Sequence, residues 1–117
     1  MSSEKRLNQN AQLTTFITSW GMYLRDKDAI GVPDYVSGLS LGLYTALCAA
    51  GVATFPELLK IVKFRQSSMN DASLLFDGGM TAVMSDAGKI KERFFRKTKV
   101  KIANLNTPVQ SIITGLK

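Results

Sequence analysis

The chain has 117 residues, 45% of them apolar and 21% charged, a balance that excludes a disordered chain and leaves enough apolar surface for a packed core. Fifteen basic residues against nine acidic ones give a formal net charge of +6. There is no histidine and one cysteine, Cys48, so neither a disulfide framework, a zinc site nor any other metal or cofactor site is expected. The opening residues Met1-Ser2-Ser3-Glu4-Lys5-Arg6 hold no apolar run and do not read as a signal peptide. The simplest organisation is a single domain over 1–117 with a polar lead-in at 1–10, placed in the cytoplasm or within an intracellular assembly.

From Ala11 the apolar residues Leu13, Phe16, Ile17, Trp20, Tyr23 and Leu24 recur at helical spacing, which predicts a helix ending near Asp26. Asp26-Lys27-Asp28 reads as a solvated connection. Pro33 suits the first turn of a second helix, because its missing N–H would be unpaired there anyway. No charge occurs from Tyr35 to Pro56, so a central buried helix over about Pro33–Ala50 is expected, with one membrane span over Tyr35–Phe55 as the alternative. Gly38, Gly42, Ala46 and Ala50 recur every four residues and read as a smooth stripe for close helix packing or oligomer contact.

Gly51 supplies a left-handed residue to end that helix. Thr54 and Glu57 form a T-x-x-E capping box for a third helix over about Phe55–Arg65. Ser67–Asn70 reads as a break. Residues 72–84 admit either two short helices around Asp77-Gly78-Gly79 or a hairpin pairing Leu74–Phe76 with Thr81–Met84. The helical form is preferred, because Ala and Met are not strand residues by propensity. Ser85 or Asp86 caps a further helix through Lys97. Thr98, Val100 and Ile102 then alternate with lysines in a period-two pattern, a short strand or extended arm. Thr107-Pro108 is expected to open a last helix with Val109, Ile112, Ile113 and Leu116 inward.

The net charge is concentrated in Lys89–Lys101, where Lys89, Lys91, Arg93, Arg96, Lys97, Lys99 and Lys101 stand against Glu92 alone. Clustered like charge weakens a compact state, which points to a use for it, and phosphate is the commonest biological partner. Gly88-Lys89 is not a phosphate-binding loop, since Val83 stands where the first glycine belongs and Ile90 where Ser or Thr is needed. Cys48 falls in the most apolar segment, where burial makes a thiol inert. No catalytic residue stands out, and the chain reads as non-enzymatic.

The segment Leu39–Leu59 resembles part of the C-terminal domain of the alpha chain of bacterial RNA polymerase, through Leu39, Ser40, Tyr44, Leu47, Ala50, Gly51, Thr54, Glu57, Leu58 and Leu59. That resemblance implies a small helical module that binds DNA and proteins. The expected architecture is therefore mainly α: a compact bundle of four to six helices around helix 33–50, with at most one small hairpin or arm. The expected function is nucleic-acid binding, DNA or RNA, through the basic block of a homo-oligomer. The alternatives are a structural protein of a virion or other large particle, and a small single-span membrane protein.

Overall fold

The structure is a computed structural model and describes residues 10–86, 88–89 and 99–116. The elements run α1 (Ala11–Ile30), α2 (Gly42–Ala49), α3 (Phe55–Leu75), β1 (Gly78–Met84), β2 (Lys101–Thr107) and β3 (Gln110–Leu116). They fall into two compact units, Met1–Asp71 and Ala72–Lys117.

In the first unit, three helices share one core. Phe16 of α1, Cys48 of α2 and Leu58 and Val62 of α3 are buried, with Leu13, Trp20, Leu41, Tyr44, Leu47, Ala53, Phe55 and Leu59 packed around them. Phe55 stacks between Phe16 (centroids 5.2 Å apart) and Trp20 (6.0 Å), so the aromatic residues of α1 lie against the start of α3. Ring stacking of this kind adds about 1 kcal/mol to the burial itself. Of the expected inner face of α1, Ile17 and Leu24 remain exposed.

The corner between α2 and α3 is built by local chemistry. Gly51 has φ 68°, its N–H donates to Cys48 O (3.0 Å), and the Val52 N–H donates to Leu47 O (3.0 Å), the paired bonds of a Schellman C-cap. Only a residue without Cβ adopts that φ freely. At the start of α3 the Thr54 N–H donates to Glu57 Oε2 (2.8 Å) and the Thr54 hydroxyl donates to the same oxygen (2.6 Å). These hydrogen bonds hold the Glu57 carboxyl below the usual carboxylate range.

Three expected boundaries are corrected. α1 continues through Asp26-Lys27-Asp28 to Ile30 and stops at Gly31, whose φ is 76°. The helix expected over Pro33–Ala50 is α2, Gly42–Ala49 alone. Residues 31–41 are irregular and end in a tight turn with Ser40 at φ 52°, a left-handed value that an α-helix cannot contain. α3 does not break at Ser67–Asn70. Gln66 Nε2 donates to Asn70 Oδ1 (3.0 Å) one turn on, and the helix runs to Leu75.

The second unit overturns the helical-bundle expectation. Its strands form an antiparallel sheet in the order β1-β3-β2. Residues 110–116, expected as a helix, are the central strand. Ile112, Ile113 and Leu116 do match helical spacing, but β-branched Ile112, Ile113 and Thr114 favour the strand, and pairing on both edges completes it. Pro108 sits in the tight turn between β2 and β3, where the Val109 N–H donates to Thr107 Oγ1 (3.2 Å). Met80, Ala82 and Met84 lie in β1, paired with Thr114, Ile112 and Gln110, so tertiary pairing overrides their weak strand preference. The architecture of the described residues is thus helices plus a three-stranded sheet.

Candidate active site

The turn into α2 reads Gly38-Leu39-Ser40-Leu41-Gly42, a G-x-S-x-G pattern. This spacing builds a sharp turn that lifts a serine hydroxyl clear of the backbone at the start of a helix. Ser40 has φ 52°, and it is the one non-glycine residue with positive φ among those described. Such a conformation costs about 1 kcal/mol and persists only where its surroundings impose it. They do so here. Gly42 N–H donates to Leu39 O (2.9 Å), Leu43 N–H to Ser40 O (3.3 Å) and Tyr44 N–H to Leu41 O (3.2 Å), a tight overwound entry to the helix. A Cβ on Gly38 would overlap the Gly42 carbonyl and the Leu43 nitrogen. The closeness of this turn fixes glycine at position 38.

Ser40 is exposed, and its Oγ accepts a hydrogen bond from Arg65 Nη2 on α3 (3.0 Å). Arg65 Nη1 donates to Gln12 Oε1 in the first turn of α1. Gln12 is held in turn: its Nε2 donates to Met69 Sδ (3.2 Å) and its backbone N–H donates to Gln66 Oε1 (2.9 Å). All three helices thus contribute to the site. The one ion pair among the described residues is Arg25 with Asp26, so no carboxylate there neutralises Arg65. Ser40 also stands at the N-terminal end of α2, where the positive end of the helix dipole favours negative charge. The arrangement offers a hydroxyl nucleophile, a positive field for an oxyanion, and a half-buried guanidinium for an anionic substituent.

The small-residue stripe is redistributed by the fold. Gly38 lies outside the helix, Gly42 opens it, Ala46 is buried in it and Ala50 follows it. Cys48 belongs to the core at 7% exposure, and burial pushes its thiol pKa up. In the basic block, Lys89 and Lys99 are exposed, and Lys101 begins the sheet-edge strand β2 opposite Thr114. Lys91, Arg93, Arg96 and Lys97 lie outside the described residues. Ser40 and Arg65 are the candidate pair that composition and charge pass over. The signal that finds Ser40 is the pair of glycines flanking it; no local pattern marks Arg65.

No family model matches the sequence. Individual proteins do. The chain is 35% identical over 119 residues to the malonyl CoA-acyl carrier protein transacylase of Bacillus subtilis (97% of this chain, 38% of that protein). It is 40% identical over 113 residues to the protein of the same name from Synechocystis sp. (93% and 36%). The crystal structure of malonyl CoA-acyl carrier protein transacylase from Burkholderia pseudomallei superposes with a TM-score of 0.83 at 32% identity, over 97% of this chain and 40% of that one. The chain therefore spans less than two-fifths of the length of the curated relatives named here.

These matches correct the functional expectations. The likeness to the RNA polymerase domain covers 21 residues with ten matches, among them Gly51, Thr54 and Glu57, which any capped corner of this kind requires. The likeness to the transacylases covers nearly the whole chain. The non-enzymatic nucleic-acid-binding reading, with its DNA or RNA partner, gives way because the relatives carry the names of acyl-transferring enzymes. The virion alternative finds no support in them. The membrane-span alternative fails on the structure: among the described residues no helix is long and apolar enough to cross a membrane.

Proposed function

We propose that this chain carries the nucleophile and the acyl-selecting residue of an acyltransferase that moves a malonyl group from coenzyme A to an acyl carrier protein. The observation that carries the reading is the strained G-x-S-x-G turn that sets Ser40 Oγ 3.0 Å from the Arg65 guanidinium. The names of the relatives supply the donor and the acceptor.

In this reading Ser40 Oγ attacks the thioester carbonyl and its proton passes to a base. The negative charge on the tetrahedral oxygen is met by the N–H of Leu41, the residue after the nucleophile, with the positive end of the α2 dipole behind it. Loss of the coenzyme A thiolate, which takes up a proton, leaves an ester on Ser40. The thiol of the carrier protein then attacks that ester by the reverse sequence and regenerates the hydroxyl. Arg65 binds the free carboxylate of the malonyl group through its two-pronged guanidinium, a geometry that lysine cannot reproduce. An uncharged acetyl group has nothing to offer it. With no histidine in the sequence, an imidazole base has to come from outside these 117 residues.

The test is a competition. The chain is incubated with equal malonyl-CoA and acetyl-CoA, with added imidazole supplying the base, and acyl adducts are read by intact mass. The reading predicts malonyl adduct in excess of acetyl by about tenfold or more, collapsing to near parity in Arg65→Ala, because a charged hydrogen bond is worth about 2 kcal/mol. Equal uptake of the two groups by the unaltered chain would sink it.

A further inference from the structure

Helix α1 starts without a cap of its own. Asn10 stands at the N-cap position but its side chain makes no capping bond, and the first turn holds no acidic residue. Yet four N–H groups at a helix start need acceptors. One of them is met from another helix: the Gln12 N–H donates to Gln66 Oε1 at 2.9 Å. Gln66 is 6% exposed, which is rare for a carboxamide unless both ends are bonded, and its Nε2 donates to Asn70 Oδ1 at 3.0 Å. Gln66 is therefore locked on α3 and reaches across to the first turn of α1.

The residue it holds is the one that holds the guanidinium. Gln12 gives its backbone N–H to Gln66 and its Oε1 to Arg65 Nη1, while Arg65 Nη2 reaches Ser40. Arg65 and Gln66 are neighbours in sequence and point to different sides of α3. Both close on Gln12, one through its side chain and one through its backbone. We propose that Gln66 is a positioning residue: it caps α1 from outside that helix, fixes Gln12, and so sets the Arg65 guanidinium beside Ser40. The inference rests on the proposed acyl selection for its functional consequence, though not for its geometry.

The experiment is nitrogen-15 spectroscopy of the arginine side chains and amide hydrogen exchange on the full 117-residue chain. Unaltered, Arg65 is expected to show separate Nη signals, because bonds at both nitrogens hinder rotation. Gln66→Leu should merge those signals and speed exchange of the Gln12 amide about fivefold to tenfold, the scale of a lost cap. Gln66→Glu keeps the acceptor oxygen, and the Asn70 carboxamide turns to donate its N–H to the second oxygen, so both observables should be kept. Gln12→Met is the second variant, useful if Gln66→Leu does not fold. It should merge the Arg65 signals while the Gln12 amide stays protected, since that bond uses the backbone. Faster Gln12 exchange in Gln66→Leu with unchanged Arg65 signals would overturn the inference, as would already averaged Arg65 signals in the unaltered chain. Binding of malonyl-CoA against acetyl-CoA separates the two levels. No preference in the unaltered chain counts against the acyl-selection reading alone, and the Arg65 spectra still judge Gln66. A preference lost in Arg65→Ala but kept in full by Gln66→Leu counts against Gln66 alone.

Discussion

Two stretches of this chain compete for attention, and they differ in kind. Residues 89–101 hold nearly half of the basic residues, while residues 38–42 hold no charge at all. Where the structure describes the first, Lys99 and Lys101 are exposed, with Lys101 on an edge strand where lysine serves to discourage unwanted strand pairing. In the second, Gly38 is fixed by steric closeness, a serine is held at positive φ, and its hydroxyl meets a guanidinium with no carboxylate partner among the described residues. Charge density is cheap for a surface to carry. A backbone strained in one place and supported by three helices is not, and the proposed chemistry is placed at that constraint.

The contrast breaks most directly at Ser40. Ser40→Ala is expected to lower acyl uptake by about a thousandfold or more, the scale on which loss of a serine nucleophile is felt, read as initial rates of adduct formation. Next comes the steric claim. Gly38→Ala forces a Cβ into the Gly42 carbonyl and should lower unfolding free energy by about 3 kcal/mol in urea titration, with Ser40 reactivity falling alongside. Arg65→Lys tests shape against charge. It keeps the cation but loses the fork, so the malonyl preference over acetyl should fall partway, by about threefold, short of the parity of Arg65→Ala, measured by the same competition.

A smaller effect belongs to the corner that follows the site. Glu57 has its folded-state pKa depressed by the Thr54 hydroxyl and then by the Thr54 N–H. Its contribution to stability is therefore complete above the unfolded-state value of about 4.3 and is lost as the pH falls through the lower folded value. Denaturation midpoints compared across that acid window should show a pH-dependent difference between the unaltered chain and Glu57→Gln, one that levels off near neutrality. Smallest of all, Lys99→Ala and Lys101→Ala should leave acyl uptake within about twofold and stability within about 0.5 kcal/mol, as surface positions generally do. A large loss there would restore the basic stretch to importance.

Much of the first unit can be read from residue order. The Schellman turn at Gly51, the Thr54–Glu57 box, Trp20 packed against the core and Cys48 within it all follow from local rules and apolar spacing. The second unit resists because Ile112, Ile113 and Leu116 of its central strand mimic a helical period, and because its β1 partner lies far away in sequence. The site was hidden by a coincidence of spacing. Gly38 and Gly42 are four apart, which reads as one face of a helix, and the same interval brackets the serine of a tight turn. What separates the two readings is the positive φ of Ser40, which no helix accommodates and no spacing announces. Arg65 stays out of reach of any local pattern, since it meets Ser40 across 25 positions.

Where the acyl group lands is the most direct measure of whether Ser40 is the nucleophile. The chain is treated with malonyl-CoA in the presence of imidazole, digested, and the adduct is located by peptide sequencing in the mass spectrometer. The adduct is expected on Ser40, absent from Ser40→Ala and reduced in Arg65→Ala. An adduct confined to Cys48 or to the lysines of 89–101, with Ser40 unmodified, would contradict it.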